Sequence, residues 1–305
     1  AGEEVLLNSQ GGAISLMTTV RAVYASANEE MTERALNNLF QRGADGQPPT
    51  LGDAFRNAKN ELSGNFDIDN SRKFTLLGDP SMQLALPRFR VRTTSVNGTA
   101  AGTGVADTLR AWQQVTVQGE VVDQAGNRLE DFNGILYPTV FDKALQARTL
   151  GQDENNSFSY RLQQNVLFKG RASVRNGAFE FTFVVPKDIN YELGLGKFSY
   201  YAAEDGNMMD ANGSFEEIVI GGTATDGISD NEGPRVEVFM NTEDFVFGST
   251  VSANPTLLVK LQDDNGINVV GNSIGHDLEG VLNEDTQNTY LLNDFYESDL
   301  DDYTS

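Results

Sequence analysis

The sequence predicts an α/β segment followed by β domains, and three observations carry that prediction. Helical periodicity is confined to the residues before 65. Strand-like alternation and turn signals dominate after residue 87. Between the two regimes, "KFTLLGDPSMQLALP" (residues 73–87) runs into a hard turn at Gly78-Asp79-Pro80 and stops at Pro87. The expected organisation is an α/β part over 1–87, an antiparallel β-sandwich of immunoglobulin-like size over 88–222, a linker over 223–233, and a partial β domain over 234–305.

In the first part, "GGAISLMTT" (residues 11–19) is a short apolar run after two glycines. It predicts a strand buried on both faces, as in a parallel sheet. "SANEEMTERALNNLFQRG" predicts a helix. Ser26 and Glu29 fit a capping box, Met31, Ala35, Leu36, Leu39 and Phe40 make one apolar face, and Gly43 suits a left-handed end. "TLGDAFRNAKNELSG" predicts a second helix, capped by Thr50 and Asp53 and ended by Gly64. Its stripe is Leu51, Ala54, Phe55, Ala58 and Leu62. Strands over 74–77 and 82–86 follow. Two or three strands with two helices are too little to stand alone, so further strands are expected upstream of Ala1.

The second part opens with "QQVTVQGEVVD", which places Val115, Val117 and Val121 on one face. "ASVRNGAFEFTFVVP" predicts a hairpin turning at Asn176-Gly177, with Phe179, Phe181 and Phe183 on one face. "GKFSYYAAED" and "EEIVIGG" add strands, and Trp112 reads as core or edge packing. "TATDGISDNEGP" has the acidic, apolar-poor composition of a linker. In the last part, "RVEVFMN", "TLLVKLQDDNG", "GHDLEGVL" and "TYLLNDFY" supply too few strands to close a sandwich. "DLDDY" reads as a solvated charge run, and the C-terminus as a cut or an ordered limit.

Composition excludes several functions. The formal net charge of −22 and the lack of Lys/Arg clusters argue against nucleic acid and against an anionic membrane surface. The acidity suits either a solvated surface or calcium binding. There is no cysteine, so no thiol nucleophile lies in these 305 residues. The one histidine, His276, is expected to bond its own glycine-rich loop, and one histidine without cysteine makes no zinc set. No apolar run approaches the roughly 20 residues of a membrane-spanning helix. Asp205, Asp210 and Asn212, in "EDGNMMDANG", group oxygen ligands into a candidate calcium loop without the spacing of an EF-hand. Thr18, Thr19 and Arg21 fall where a buried strand emerges, the place where open α/β sheets bind ligands. Arg21 there is suited to clamp a carboxylate.

"GEEVLLNSQGGAISLMTTVRAVYASANEEMTERALNNLF", "TLGDAFRNAKN" and "NSRKFTLLGDPSMQLALP" together resemble the end of a gingipain-type cysteine peptidase domain. Downstream, "LYPTVFDK", "VLFKGRASVRNGAFEFTFVVPKDINY" and "GKFSYYA" resemble the sortase branch of that family, which serves the type IX secretion system. The resemblance implies the C-terminal part of a caspase-like α/β sandwich, with a His-Cys dyad upstream of Ala1 and no catalytic residue in this segment. It implies cleavage of C-terminal signal domains from secreted cargo at the outer membrane, on the cell surface of a Gram-negative bacterium. It further implies attachment of an anionic lipopolysaccharide anchor and contact with other type IX components, with no cofactor required. It places the loop after "GGAISLMTT" beside the substrate pocket, making Thr18, Thr19, Arg21 and Tyr24 candidates for the pocket wall. Two other readings stay open: a non-enzymatic surface β-domain protein that binds glycans or protein partners, and a secreted gingipain-like endopeptidase.

Overall fold

A computed structural model describes residues 2–43, 46–62, 68–102, 107–152, 156–206, 209–228, 232–268 and 277–305. The chain divides into two compact units, residues 1–88 and 89–305. His276 lies outside the described residues.

The first unit runs α1 (Gly2–Leu7), β1 (Ser15–Thr19), α2 (Ala25–Leu39), α3 (Leu51–Leu62), α4 (Ile68–Ser71) and β2 (Phe74–Gly78). Met31, Ala35, Ala58, Leu62 and Phe74 are buried as its core, so the helical stripes face inward as their periodicity requires. The cap of α3 forms as expected: the Asp53 amide donates to Thr50 Oγ1 at 3.0 Å, and Thr50 Oγ1 donates to Asp53 Oδ2 at 2.9 Å.

Other expectations for this unit fail, each for a local reason. β1 is antiparallel to β2 and half-exposed along its length, because β2 is its one strand neighbour among the described residues. Ser26 makes no cap. Tyr24 is the N-cap of α2 and has no side-chain cap bond, and the helix ends at Phe40 in a right-handed conformation, before Gly43. Residues 82–86 form no strand; Gln83 makes a single bridge to Thr50. Pro80 and Pro87 have no N–H to give a ladder. The carbonyls of this stretch go to the start of α3 instead, where the Leu51 amide donates to Met82 O (2.8 Å) and the Gly52 amide to Pro80 O (2.9 Å).

The second unit contains β3 (Phe89–Val96), β4 (Thr99–Ala100), β5 (Asp107–Ala111), β6 (Gln114–Val122), β7 (Gly134–Phe141), β8 (Leu145–Arg148), β9 (Ser159–Leu162) and β10 (Val166–Lys169). It continues with β11 (Ala172–Arg175), β12 (Ala178–Val184), β13 (Gly194–Leu195), β14 (Lys197–Glu204), β15 (Asp210–Phe215) and β16 (Ile218–Thr223). Then come β17 (Arg235–Met240), β18 (Leu257–Gln262), β19 (Glu279–Val281) and β20 (Thr289–Leu291). In place of two separate sheets, the main sheet closes on itself. β7, β11, β12, β6, β3, β15 and β14 follow one another, and β14 pairs back onto β7. The β15–β3 step is parallel, and β13, β16 and β5 make a separate small sheet.

Alternation fills the interior. Val115, Val117 and Val121 are fully buried, and so are Leu136, Val140, Phe183 and Phe198. The Asn176-Gly177 turn has φ 50° and 71°, as a type I′ turn needs, and Phe179, Phe181 and Phe183 all point inward. Phe168 stacks on Phe183 at 5.2 Å between centroids, and Phe183 meets Phe198 edge-on at 6.4 Å. Tyr200 shares a 2.8 Å hydrogen bond with Thr93, so its buried hydroxyl is satisfied. Trp112 packs partly buried against this core.

The segment read as a linker is partly tied down: the Ala224 amide donates to Ala111 O and the Ile228 amide to Trp112 O. The charge run at the end is likewise not a solvated tail. Leu300 bridges Arg171 in parallel, Asp301 accepts from both the amide and hydroxyl of Ser173 at 2.6 Å, and Asp299 pairs with Arg171 at 2.9 Å. The acidic side chains answer donors along the β10–β11 edge, a match that composition does not reveal.

Two outcomes test this fold. Phe183→Ala should cost about 3–5 kcal/mol in urea unfolding, because a large ring leaves a packed interior; a cost under about 1 kcal/mol would contradict that packing. Burial pushes the Asp302 carboxyl up, but bonds from the Thr304 amide and hydroxyl and the Ser305 hydroxyl outweigh it and hold the group below its ordinary value. A depressed folded value stabilises the protein above the unfolded value of about 4, and the contribution is lost as pH falls through the folded value. Asp302→Asn should therefore melt below the parent at pH 7, with the gap closing towards pH 3.

Candidate functional site

An open cavity of about 560 Å³ lies in the first unit, between β1 and α2. Met17, Thr18 and Thr19, with Phe74 beside Thr19 on β2, supply one wall, and Met31 and Leu39 another. Thr18 and Thr19 reach it because β1 is locked in register to β2, with Thr18 opposite Thr75 and Thr19 opposite Phe74. The lining is apolar apart from Ser15, Asn28 and the threonines. Two of those hydroxyls are spent on carbonyls: Ser15 Oγ on Leu77 O and Thr32 Oγ1 on Asn28 O. No acid, base or thiol lines the cavity among the described residues, so it can hold a group but has nothing with which to transfer a proton.

Arg21 and Tyr24 do not line this cavity. Arg21 is exposed, with no ion pair among the described residues. Tyr24 is 68% exposed and starts α2. Its loop is held by residues that sequence reasoning missed. The Tyr24 amide donates to Asn70 Oδ1 at 3.2 Å, and Asn70 is almost fully buried. Lys73 Nζ donates to Ala22 O at 3.1 Å and stands 5.7 Å from the Tyr24 ring centre. The helical turn Ile68–Ser71 that carries Asn70 is too short to leave a periodic signal. A polar side chain between two apolar segments was the one hint available.

Of the three candidate calcium ligands, two lie on β15 and one in the turn before it. Asp210 and Asn212 alternate outward along β15, with Asn212 opposite Tyr201. Asp205 sits in the preceding turn, where its amide donates to Asn133 O. Among the described residues, no group of three or more His, Asp or Glu side chains gathers to hold a metal ion.

Residues 1–85, within the first unit, match the model of Peptidase family C25. The structure as a whole is similar to dimeric latent PorU from Porphyromonas gingivalis. Identity is 29%, the match covers 93% of this chain and 27% of that one, and the TM-score is 0.50. The chain thus spans about a quarter of the PorU chain. The complex of Porphyromonas gingivalis RgpB pro- and mature domains matches at 12% identity over 67% of this chain and 38% of that one, with a TM-score of 0.24. No curated protein matches the chain.

The Tyr24 loop is open to test. Asn70→Ala removes the acceptor of the Tyr24 amide and leaves a donor short of a partner. Hydrogen exchange at Tyr24 should quicken by roughly tenfold or more, consistent with about 1–3 kcal/mol. Exchange in the second unit should not change.

Proposed function

We infer that the chain is part of a PorU-like cysteine peptidase and sortase of the type IX secretion system. The observation that carries this is the coincidence of a C25 match over residues 1–85 with a PorU-like fold over 93% of the chain. In this reading the first unit is the end of a caspase-like domain, and the closed sheet is an immunoglobulin-like support. Residues 223–233 would separate it from a partial C-terminal β domain.

The chemistry is thiol attack on a cargo peptide carbonyl, with histidine protonating the leaving amine. These 305 residues contain no cysteine, so the nucleophile belongs to another part of the protein and this segment is inert alone. Thr18 and Thr19 wall the pocket, and Arg21 and Tyr24 belong to the loop that follows β1. Secreted proteins with C-terminal signal domains are the substrates, and an anionic lipopolysaccharide takes the acyl group at the outer membrane. Other type IX components are partners.

The test uses a peptide spanning a cargo–signal junction. The full-length protein should cleave it and lose that activity to iodoacetamide, while the 305-residue chain should give no product. Turnover by the chain alone would sink the inertness assignment, and no turnover by the full-length protein would sink the peptidase reading. Thr18→Trp in the full-length protein should lower kcat/KM about tenfold or more without changing its melting temperature; unchanged cleavage would remove Thr18 from the pocket wall.

A further inference from the structure

The outer face of the closed sheet carries a row of side chains that the core does not use. At one level Tyr137 on β7 stands opposite Tyr201 on β14, Tyr201 opposite Asn212 on β15, and Asn212 opposite Arg90 on β3. Four neighbouring strands thus contribute one side chain each, over roughly 14 Å at about 4.8 Å per strand spacing. Tyr201 is 44% exposed, and Asn212 and Arg90 are exposed as well. The tyrosine rings lie 6.1 Å apart, tilted by 31°. Next to them Asp210 shares the outer face of β15, and Tyr201 reaches its carboxylate only at 3.5 Å, the far limit of a hydrogen bond.

One flanking level holds the short side chains of Thr139, Ser199 and Ser214, and the other holds Ile135, Ala203 and Asp210. The polar groups in the row are under-used. The Asn212 side-chain amide has no hydrogen-bond partner among the described residues, and Arg90 gives one Nη2–H to Gln124 O at 3.2 Å. Two aromatic faces with an amide, a carboxylate and a guanidinium beside them match a chain of sugar rings. The apolar C–H face of a pyranose packs on an aromatic ring, while its hydroxyls need both donors and acceptors close by.

We propose that Tyr137, Tyr201, Asn212, Asp210 and Arg90 form a binding row for a short neutral oligosaccharide. Neutrality follows from charge: Asp210 and Arg90 offset one another locally, and a protein of net charge −22 repels polyanions. A protein partner is less suited to a row one residue wide with short hydroxyl side chains along one flank, since stable protein interfaces need a broad patch. The proposal rests on the closed sheet alone and is independent of the peptidase reading.

The experiment titrates the full 305-residue chain with mannohexaose, cellohexaose and chitohexaose, followed by amide chemical shifts. At least one should shift resonances at residues 90, 137, 201, 210 and 212 and leave the first unit unchanged. Tyr201→Ala should weaken that binding at least tenfold, whereas Tyr160→Ala, which removes an exposed tyrosine of β9, should leave it intact. Should Tyr201→Ala lower the melting temperature, Asn212→Ala at its exposed site takes its place with the same expected loss. Failure of all three sugars to shift these resonances, or binding that survives both substitutions, overturns the proposal.

Discussion

Closing a sheet commits its interior. Once β14 pairs back onto β7, the space enclosed must be filled by side chains from every strand, since water there would leave polar backbone and apolar surface in conflict. Phenylalanines on β12 and β14 do most of this, and valines on β6 take the narrower positions. Closure also dictates where side chains are forbidden. A Cβ on Gly134 would sit 2.0 Å from Ala203 O at the β7–β14 join, and one on Gly213 would sit 2.1 Å from Val91 O at the β15–β3 join. Both seams of the ring thus depend on glycine for close backbone approach.

A ring does not cover every edge. The strand that runs from β10 into β11 pairs with β7 on one side, and at Lys169, Arg171 and Ser173 it receives the C-terminal segment on the other. The acidic residues there are spent on specific donors: the Arg171 guanidinium, and the amide and hydroxyl of Ser173. The same economy appears in the first unit. The turn at Gly78-Asp79-Pro80 and the stretch after it do not extend a sheet; they deliver carbonyls to the exposed amides at the start of α3.

The cavity of the first unit supplies shape without an acid or base in its lining among the described residues. It is bounded by a strand in fixed register and by an amphipathic helix, and its lining is apolar and threonine-rich. Such a lining can seat an apolar group but offers it no proton donor or acceptor of catalytic strength. Asn70 and Lys73 hold the adjoining loop from below, so the wall's geometry depends on side chains remote from it in sequence.

The amino-acid order by itself determined the local elements whose signals are local. Periodicity located α2 and α3, the Thr50 cap, the Asn176-Gly177 turn, and the inward faces of β6 and β12, because each depends on residues a few positions apart. The family resemblance was legible for the same reason, as contiguous motifs in residues 1–85. Tertiary structure alone decided the rest. Strand partners are set by long-range hydrogen bonds, so the antiparallel β1–β2 pair, the closure through β7 and β14, and the docked acidic end left no mark in spacing. The same holds for the sites: Asn70 beneath Tyr24, and Tyr137, Tyr201, Asn212 and Arg90 in one row, are brought together only when distant strands and turns meet.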